Sequence, residues 1–371
     1  MVTPTRYRDY EDVDPNGEPP NKDHFFSLLC RAVGAFSLKE RIFVLLDIDG
    51  IQEPKFDENL FDYLVINDDI KSTIKSLALN NARKAENKED KPFRADFIRG
   101  KGEGLVFLLH GPPGVGKTCA AECVAELTKR PLLSITSGDL GTETAELDQK
   151  LSTFFRLGEL WNAIVVIDEA DIYFEARETN DIARNSLVSV LLRALEYYRG
   201  ILFLTTNRLG VLDEAFVSRI HVPLFFKHLT NDDRKQIWKN NIKRLEETKI
   251  RITEDAQKFV ISAEVMDREW NGREIRNAFQ TVVALAEAEC EGHPDEIPKI
   301  TRNHIKEVLR ISTAFQKYLK RLYKDLNYEQ LADRKGIRAD MGPAGRTHGG
   351  LMPIHQWSEI RTSAVSESHC D

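Results

Sequence analysis

Residues 105–131 read LVFLLHGPPGVGKTCAAECVAELTKRP, and this stretch decides the fold. Leu105 to Leu109 form an apolar run of strand type. Gly111, Gly114 and Gly116 follow; without a Cβ they let backbone N–H groups crowd around an anion. Ala120, Cys123, Val124 and Leu127 then recur at helical spacing. The helix predicted from Lys117 aims the positive end of its dipole at the same spot. Gly111 through Thr118 match G-x-x-x-x-G-K-[ST], the pattern of a loop that holds phosphate. The expected cradle is Gly111, Pro112, Pro113, Gly114, Val115 and Gly116, continued onto the helix by Cys119. Lys117 adds a full charge for the β- and γ-phosphates, and is expected to stand exposed at an empty loop. Thr118 puts a hydroxyl where Mg²⁺ would sit. A plain Gly-Pro turn is the alternative, against which the strand before and the helix after both argue.

The chain has 371 residues, enough for two domains with tails. Its 42% hydrophobic and 30% charged residues suit a soluble globular protein. No apolar run approaches the roughly 20 residues of a membrane span. The N-terminus, MVTPTRYRDYEDVDPNGEPP, is acidic and proline-rich, unlike a signal or transit peptide. Cys30, Cys119, Cys123, Cys290 and Cys370 show no metal spacing, which points to a reducing intracellular compartment, cytoplasmic or nuclear. Cys119 and Cys123, one helical turn apart, read as small core residues. A net charge of −7 argues against broad nucleic-acid binding.

Along the chain, residues 1–60 read as a partly disordered N-terminal segment holding a helix-like FFSLLCRAVGAF and a strand-like RIFVLLDIDG. It is too short to bury its own core. It either ends a larger N-terminal domain or packs on the neighbouring α/β domain. That domain takes residues 61–228. It opens with a short extended piece and an amphipathic helix (FDYLVINDDIKSTIKSLALNN), followed by a charged connector. Apolar strands near LVFLL, PLLSI, AIVVI, ILFLTT and HVPLFF then alternate with amphipathic helices, which indicates a parallel sheet covered on both faces. Residues 229–315 read as helical, with strand signals vanishing from Asp232, and residues 316–371 as a C-terminal helix and mobile tail. Thr230 with Asp233, and Thr301 with His304 in place of an acid, mark helix starts.

Three further elements carry chemistry. In AIVVIDEAD a buried strand ends in two carboxylates. Asp168 can hold Mg²⁺ beside the phosphate loop, and Glu169 can orient an attacking water. In ILFLTTNRLG a strand ends at Asn207, whose amide could position that water; alone, Thr-Asn is a turn signal. LDEAFVSRI places Arg219 on a short helix before the last strand, where a lone arginine is ordinarily a solvated charge.

Together these residues resemble the AAA+ ATPase family, and within it fungal AAA+ ATPases of unknown substrate. GPPGVGKT resembles its Walker A, IVVIDEAD its Walker B with the catalytic Glu169, TTN its sensor 1 and DEAFVSRI its arginine-finger region. WNGREIRNAFQ resembles its sensor 2, a position open between Arg273 and Arg276. The likeness covers residues 60–315. It implies a five-stranded parallel P-loop sheet, a small helical lid, ATP and Mg²⁺ as ligands, and a homo-oligomeric ring, often hexameric, that remodels a protein partner. The base would be adenine, held near Val65 and Ile66. Two departures stand out. The finger region is shortened to VSRI, leaving Arg219 the main finger candidate. The loop SGDLGTETAEL lacks the aromatic residue of protein-threading relatives. NKED (87–90) and DIDG (47–50) look like GTPase fragments, but GTPase order places them after the phosphate loop, so they read as chance. Besides a hydrolysing remodeller, the sequence leaves open a nucleotide-dependent assembly switch with little turnover. A DNA-acting motor is disfavoured by the acidic charge; KYLKRLYK (317–324) is its nearest basic stretch and reads as a solvated helix face.

Overall fold

The computed structural model describes residues 31–86, 101–141, 143–174, 182–207, 214–245, 248–290 and 297–322. The readings made for the first 22 residues, most of the charged connector, NKED and the tail beyond residue 325 lie outside them. The chain divides into a unit ending at Lys55 and a unit beginning at Phe56.

The first unit is a hairpin of β1 (Ala32–Ser37) and β2 (Ile42–Asp47), antiparallel with Ala32 opposite Asp47. The stretch expected to be helical is therefore a strand from Ala32 onward. Cross-strand pairing prevails there over local helical spacing, with Phe36 edge-on to Phe43 at 5.0 Å. DIDG is a capped turn: the Asp49 N–H donates to the Asp47 carboxylate at 3.1 Å.

The second unit opens with α1 (Leu60–Tyr63) and α2 (Asp68–Glu86). The piece expected to be extended thus begins as a helical turn, because Phe61 folds inward and is buried. There follow β3 (Leu105–His110), α3 (Lys117–Thr128), β4 (Leu132–Thr136), α4 (Ser137–Leu140), α5 (Thr144–Leu160), β5 (Ile164–Asp168), α6 (Asp171–Phe174), α7 (Ile182–Tyr197), β6 (Ile201–Thr206), α8 (Glu214–Val217) and β7 (Val222–Phe225). The five strands are parallel in the order β4-β5-β6-β3-β7. Phe107, Leu109, Val166 and Phe203 face the layer formed by α1, α2 and α3, with Phe107 stacked on Phe203 at 4.6 Å. Because β3 lies between β6 and β7 while its own helix leads away to β4, a crevice opens at the carboxyl end of β3, where such sheets bind ligands.

The lid follows: α9 (Asn231–Leu245), β8 (Arg251–Ile252), α10 (Glu254–Val260), α11 (Ala263–Met266), α12 (Gly272–Glu289), β9 (Lys299–Ile300) and α13 (Arg302–Leu322). Trp238, Phe259, Trp270, Val282 and Leu309 belong to its core. Contrary to the all-helical expectation, β8 and β9 pair in parallel; two residues each are too few to give a periodic signal. Thr230 and Asp233 bond reciprocally, while the Thr301 N–H donates to His304 Nδ1 at 3.2 Å, imidazole replacing the acid of a capping box. Among the described residues no helix is long and apolar enough to cross a membrane.

Candidate functional site

The crevice at β3 is lined by the glycine loop. A Cβ at Gly111 would lie 2.1 Å from the Phe226 carbonyl oxygen, and one at Gly114 only 2.4 Å from Asn271 Oδ1. Gly111 and Gly114 also have φ of +142° and +76°, so only glycine meets both demands. Val115 is buried, Pro113 exposed. Lys117 is only 6% exposed, not the open lysine expected. A buried ammonium requires acceptors. Its Nζ donates to the carbonyls of Gly111 (2.8 Å) and Pro112 (2.7 Å) and to Asn207 Oδ1 (2.7 Å). The adjacent His110 is buried and stacked on Phe225; burial first, then Lys117, pushes its pKa down to about 3, so it is neutral.

The carboxylate strand meets this loop. Register pairs Ile167 of β5 with Leu204 of β6, bringing Asp168 beside Thr205. Asp168 Oδ1 accepts from Thr118 Oγ1 at 3.1 Å and from Thr205 Oγ1. Glu169 follows, exposed, with φ of +53°. Thus Lys117, Thr118, Asp168 and Asn207, read from three separate stretches, are joined in two hydrogen-bonded pairs, Lys117 with Asn207 and Thr118 with Asp168.

The lid closes on the same loop. The Gly272 N–H donates to the Gly114 carbonyl at 2.8 Å, and Asn271, which caps α12, lies over Gly114. Arg273 and Arg276 both lie on the first turns of α12. Of the two, Arg276 is the one whose charge acts on Cys119 and Glu122 of α3. The Glu122 carboxyl is raised by burial and then by Asp168, with Arg276 opposing. Cys119 is exposed, correcting its reading as a core residue; Cys123, one turn on, is the buried one, at 4.0 Å between sulfurs. The hydrogen bond with Cys123 lowers the Cys119 thiol pKa, with Arg276 and Arg244 adding to it and Glu122 opposing. Ile66 packs against the sheet core, and Leu64 Cδ1 is 4.0 Å from where a Gly116 Cβ would stand, so this segment borders the loop. Asn240 of α9 holds it by donating to the Tyr63 carbonyl at 2.9 Å.

Arg219 is elsewhere. The His221 N–H bonds the Val106 carbonyl and Val222 pairs with Phe107, so Arg219 sits at the amino end of the sheet. The six residues of β3 separate it from its own phosphate loop by about 20 Å. Its guanidinium donates to the Ala215 carbonyl (2.9 Å) and to Glu196 Oε2 (3.3 Å), and Lys101 pairs with the same carboxylate. The second-strand loop folds as α4, its Leu140 fully buried. Sequence patterns alone do not single out Thr205, Glu196 or Asn271. The register of IDEAD against FLTTN is the one signal that could point to Thr205.

This fold and this loop are those of a P-loop protein of the AAA type, and the comparisons with known proteins agree. Residues 107–228 match the ATPase family associated with various cellular activities (AAA), and residues 229–326 match the fungal AAA+ ATPase lid domain. The chain belongs to the AAA+ ATPase family. It is 33% identical over 130 residues to fidgetin-like protein 1 of Drosophila melanogaster, covering 32% of this chain and 25% of that protein. It is 30% identical over 148 residues to spastin of Ixodes scapularis (36% and 22%) and 28% over 147 to the peroxisomal ATPase pex6 of Schizosaccharomyces pombe (37% and 16%). The matched stretch spans a quarter or less of each of these relatives. The crystal structure of the FIGL-1 AAA domain in complex with ADP aligns over 70% of this chain and 92% of its own, with 20% identity and a TM-score of 0.47.

Proposed function

We propose that this protein hydrolyses ATP with Mg²⁺, does so as a homo-oligomer whose sites form between subunits, and uses the cycle to remodel a protein partner. The observation that carries the hydrolytic part is the pairing of Lys117 with Asn207 and of Thr118 with Asp168 at the mouth of the β3 crevice, with Glu169 next in the chain.

The loop from Gly111 to Gly116 and the amino end of α3 receive the phosphates, and Lys117 exchanges its carbonyl partners for phosphate oxygens. Thr118 Oγ1 and Asp168 Oδ1 are hard oxygen donors 3.1 Å apart. Neighbouring ligands of an octahedral ion with Mg²⁺ bond lengths are about 3 Å apart, so this pair fits Mg²⁺, with Asp168 holding it directly or through water. Bound there, Mg²⁺ would neutralise charge on the phosphates. Glu169 takes the proton of the attacking water as its oxygen bonds the γ-phosphorus; the bond to the bridging oxygen breaks and ADP leaves with the electron pair. Asn207, already bonded to Lys117, orients that water. Arg276 is better placed than Arg273 to sense the nucleotide. Ile66 and its neighbours border the adenine side.

Arg219 is too far from its own loop, which supports a finger that serves a neighbouring subunit. A protein partner is supported by relatives described as an ATP-dependent zinc metalloprotease and a 26S proteasome regulatory subunit homologue. Phosphate release from ATP, with and without Mg²⁺, tests the reading: Glu169-dependent turnover is expected. Tight ATP binding without turnover would favour the assembly switch instead.

A further inference from the structure

We infer that Thr205 is a positioning residue that sets Glu169 for catalysis; this rests on the hydrolytic reading above. The residue is only 2% exposed. Its hydroxyl has one proton and two lone pairs, and two of these are committed in ways that bear on the reaction. It donates to Asp168 Oδ1 and accepts from the Glu169 N–H at 3.1 Å. The Thr205 carbonyl also accepts from the Ala170 N–H at 3.0 Å. Thr205 therefore holds the Glu169–Ala170 segment at two points while touching the carboxylate assigned to the metal.

The backbone of Glu169 explains why such a grip is needed. With φ of +53°, Glu169 sits in the left-handed region that side-chain-bearing residues disfavour. It persists there only if its surroundings over-determine it, and the two Thr205 bonds supply that. Released, the turn would relax and move the carboxylate away from the place where water must stand. The next residue repeats the device: Thr206 Oγ1 donates to Asp171 Oδ1 and fixes the start of α6. The end of β6 thus grips the Asp168–Asp171 turn at both its ends, but only Thr205 bonds the two residues that act.

The test uses Thr205→Val and Thr205→Ser in the full chain. Valine keeps the β-branched shape of a strand residue and loses both side-chain hydrogen bonds; serine keeps the hydroxyl. Binding of a fluorescent ATP analogue to Thr205→Val in Mg²⁺ should stay within about threefold of wild type, while kcat falls by about 10- to 100-fold. Thr205→Ser should recover most of that loss. In a Glu169→Gln background, Thr205→Val should add little further loss, because both changes act through one carboxylate. Should valine prevent folding, Thr205→Ala beside Thr205→Ser reads the same contrast. Wild-type kcat in Thr205→Val, or equal slowing by serine, overturns this inference alone. A wild-type protein without Glu169-dependent turnover overturns the hydrolytic reading, and this inference with it.

Discussion

The ammonium of Lys117 and the side-chain oxygen of Asn207 lie 2.7 Å apart although 90 residues separate them in the chain. The lysine of the loop is thereby a strut between the ends of β3 and β6 as well as the proposed phosphate ligand. Lys117→Ala should abolish ATP binding. It should also lower stability by about 1–3 kcal/mol, the range for losing charged hydrogen bonds at a shielded site. Urea unfolding of the nucleotide-free protein measures the second effect. An unchanged midpoint would mean that the three bonds contribute nothing to the fold.

Glu169→Gln should bind ATP and retain it, with hydrolysis slowed by on the order of 10²-fold or more, since the amide keeps the shape and loses the base. Asp168→Asn should weaken Mg²⁺-dependent binding and turnover together. Single-turnover assays across a Mg²⁺ series separate the two. Wild-type hydrolysis by Glu169→Gln would remove the base from the mechanism.

The phosphate loop, the carboxylate strand and the TTN segment are legible in the sequence because each is a local strand-to-turn or strand-to-helix pattern. The parallel order is legible because fully apolar strands need cover on both faces. The illegible part depends on pairs distant in sequence. The Thr205–Asp168 contact spans 37 residues and exists only through the β5–β6 register. The buried state of Lys117 depends on where β6 delivers Asn207, and nothing in GPPGVGKT encodes that. Strand β1 resists a local reading because AVGAF takes its conformation from β2, not from its own spacing.

His110 gives the protein a specific acid sensitivity. Its pKa is about 3 in the fold against an ordinary 6.5, lowered by burial and then by Lys117. The unfolded chain therefore binds a proton that the folded chain refuses. Stability is unaffected above pH 6.5, falls as pH drops through 6.5, and stops falling on this account below about 3. At pH 5 the loss is about 2 kcal/mol. Comparing unfolding free energies of wild type and His110→Gln between pH 7 and 5 isolates it: the variant should lose about 2 kcal/mol less over that interval. Parallel profiles would show that His110 ionises freely in the fold.

Arg219 is held at the amino end of the sheet by Glu196, a carboxylate it shares with Lys101. In the proposed assembly, a guanidinium about a strand length from its own phosphate loop would serve a neighbouring subunit's nucleotide. There it would neutralise charge building on the γ-phosphoryl oxygens; comparable fingers in other phosphoryl-transfer enzymes contribute roughly 10³–10⁵ in rate. Arg219→Ala should bind ATP nearly normally and hydrolyse it poorly, and wild-type activity per chain should rise with protein concentration. Glu196→Gln should leave ATP binding intact and lower turnover, less than Arg219→Ala does, since it loosens the finger without touching the loop. The decisive measurement mixes Arg219→Ala with Lys117→Ala. Each lacks a different half of the site, so some interfaces in a mixed oligomer pair an intact loop with an intact finger. Activity should then exceed that of either parent, once subunit exchange is shown by fluorescence transfer. If exchange occurs and mixing restores nothing, or if activity per chain is flat from dilute protein upward, Arg219 does not act between subunits and the shared-site assembly is wrong.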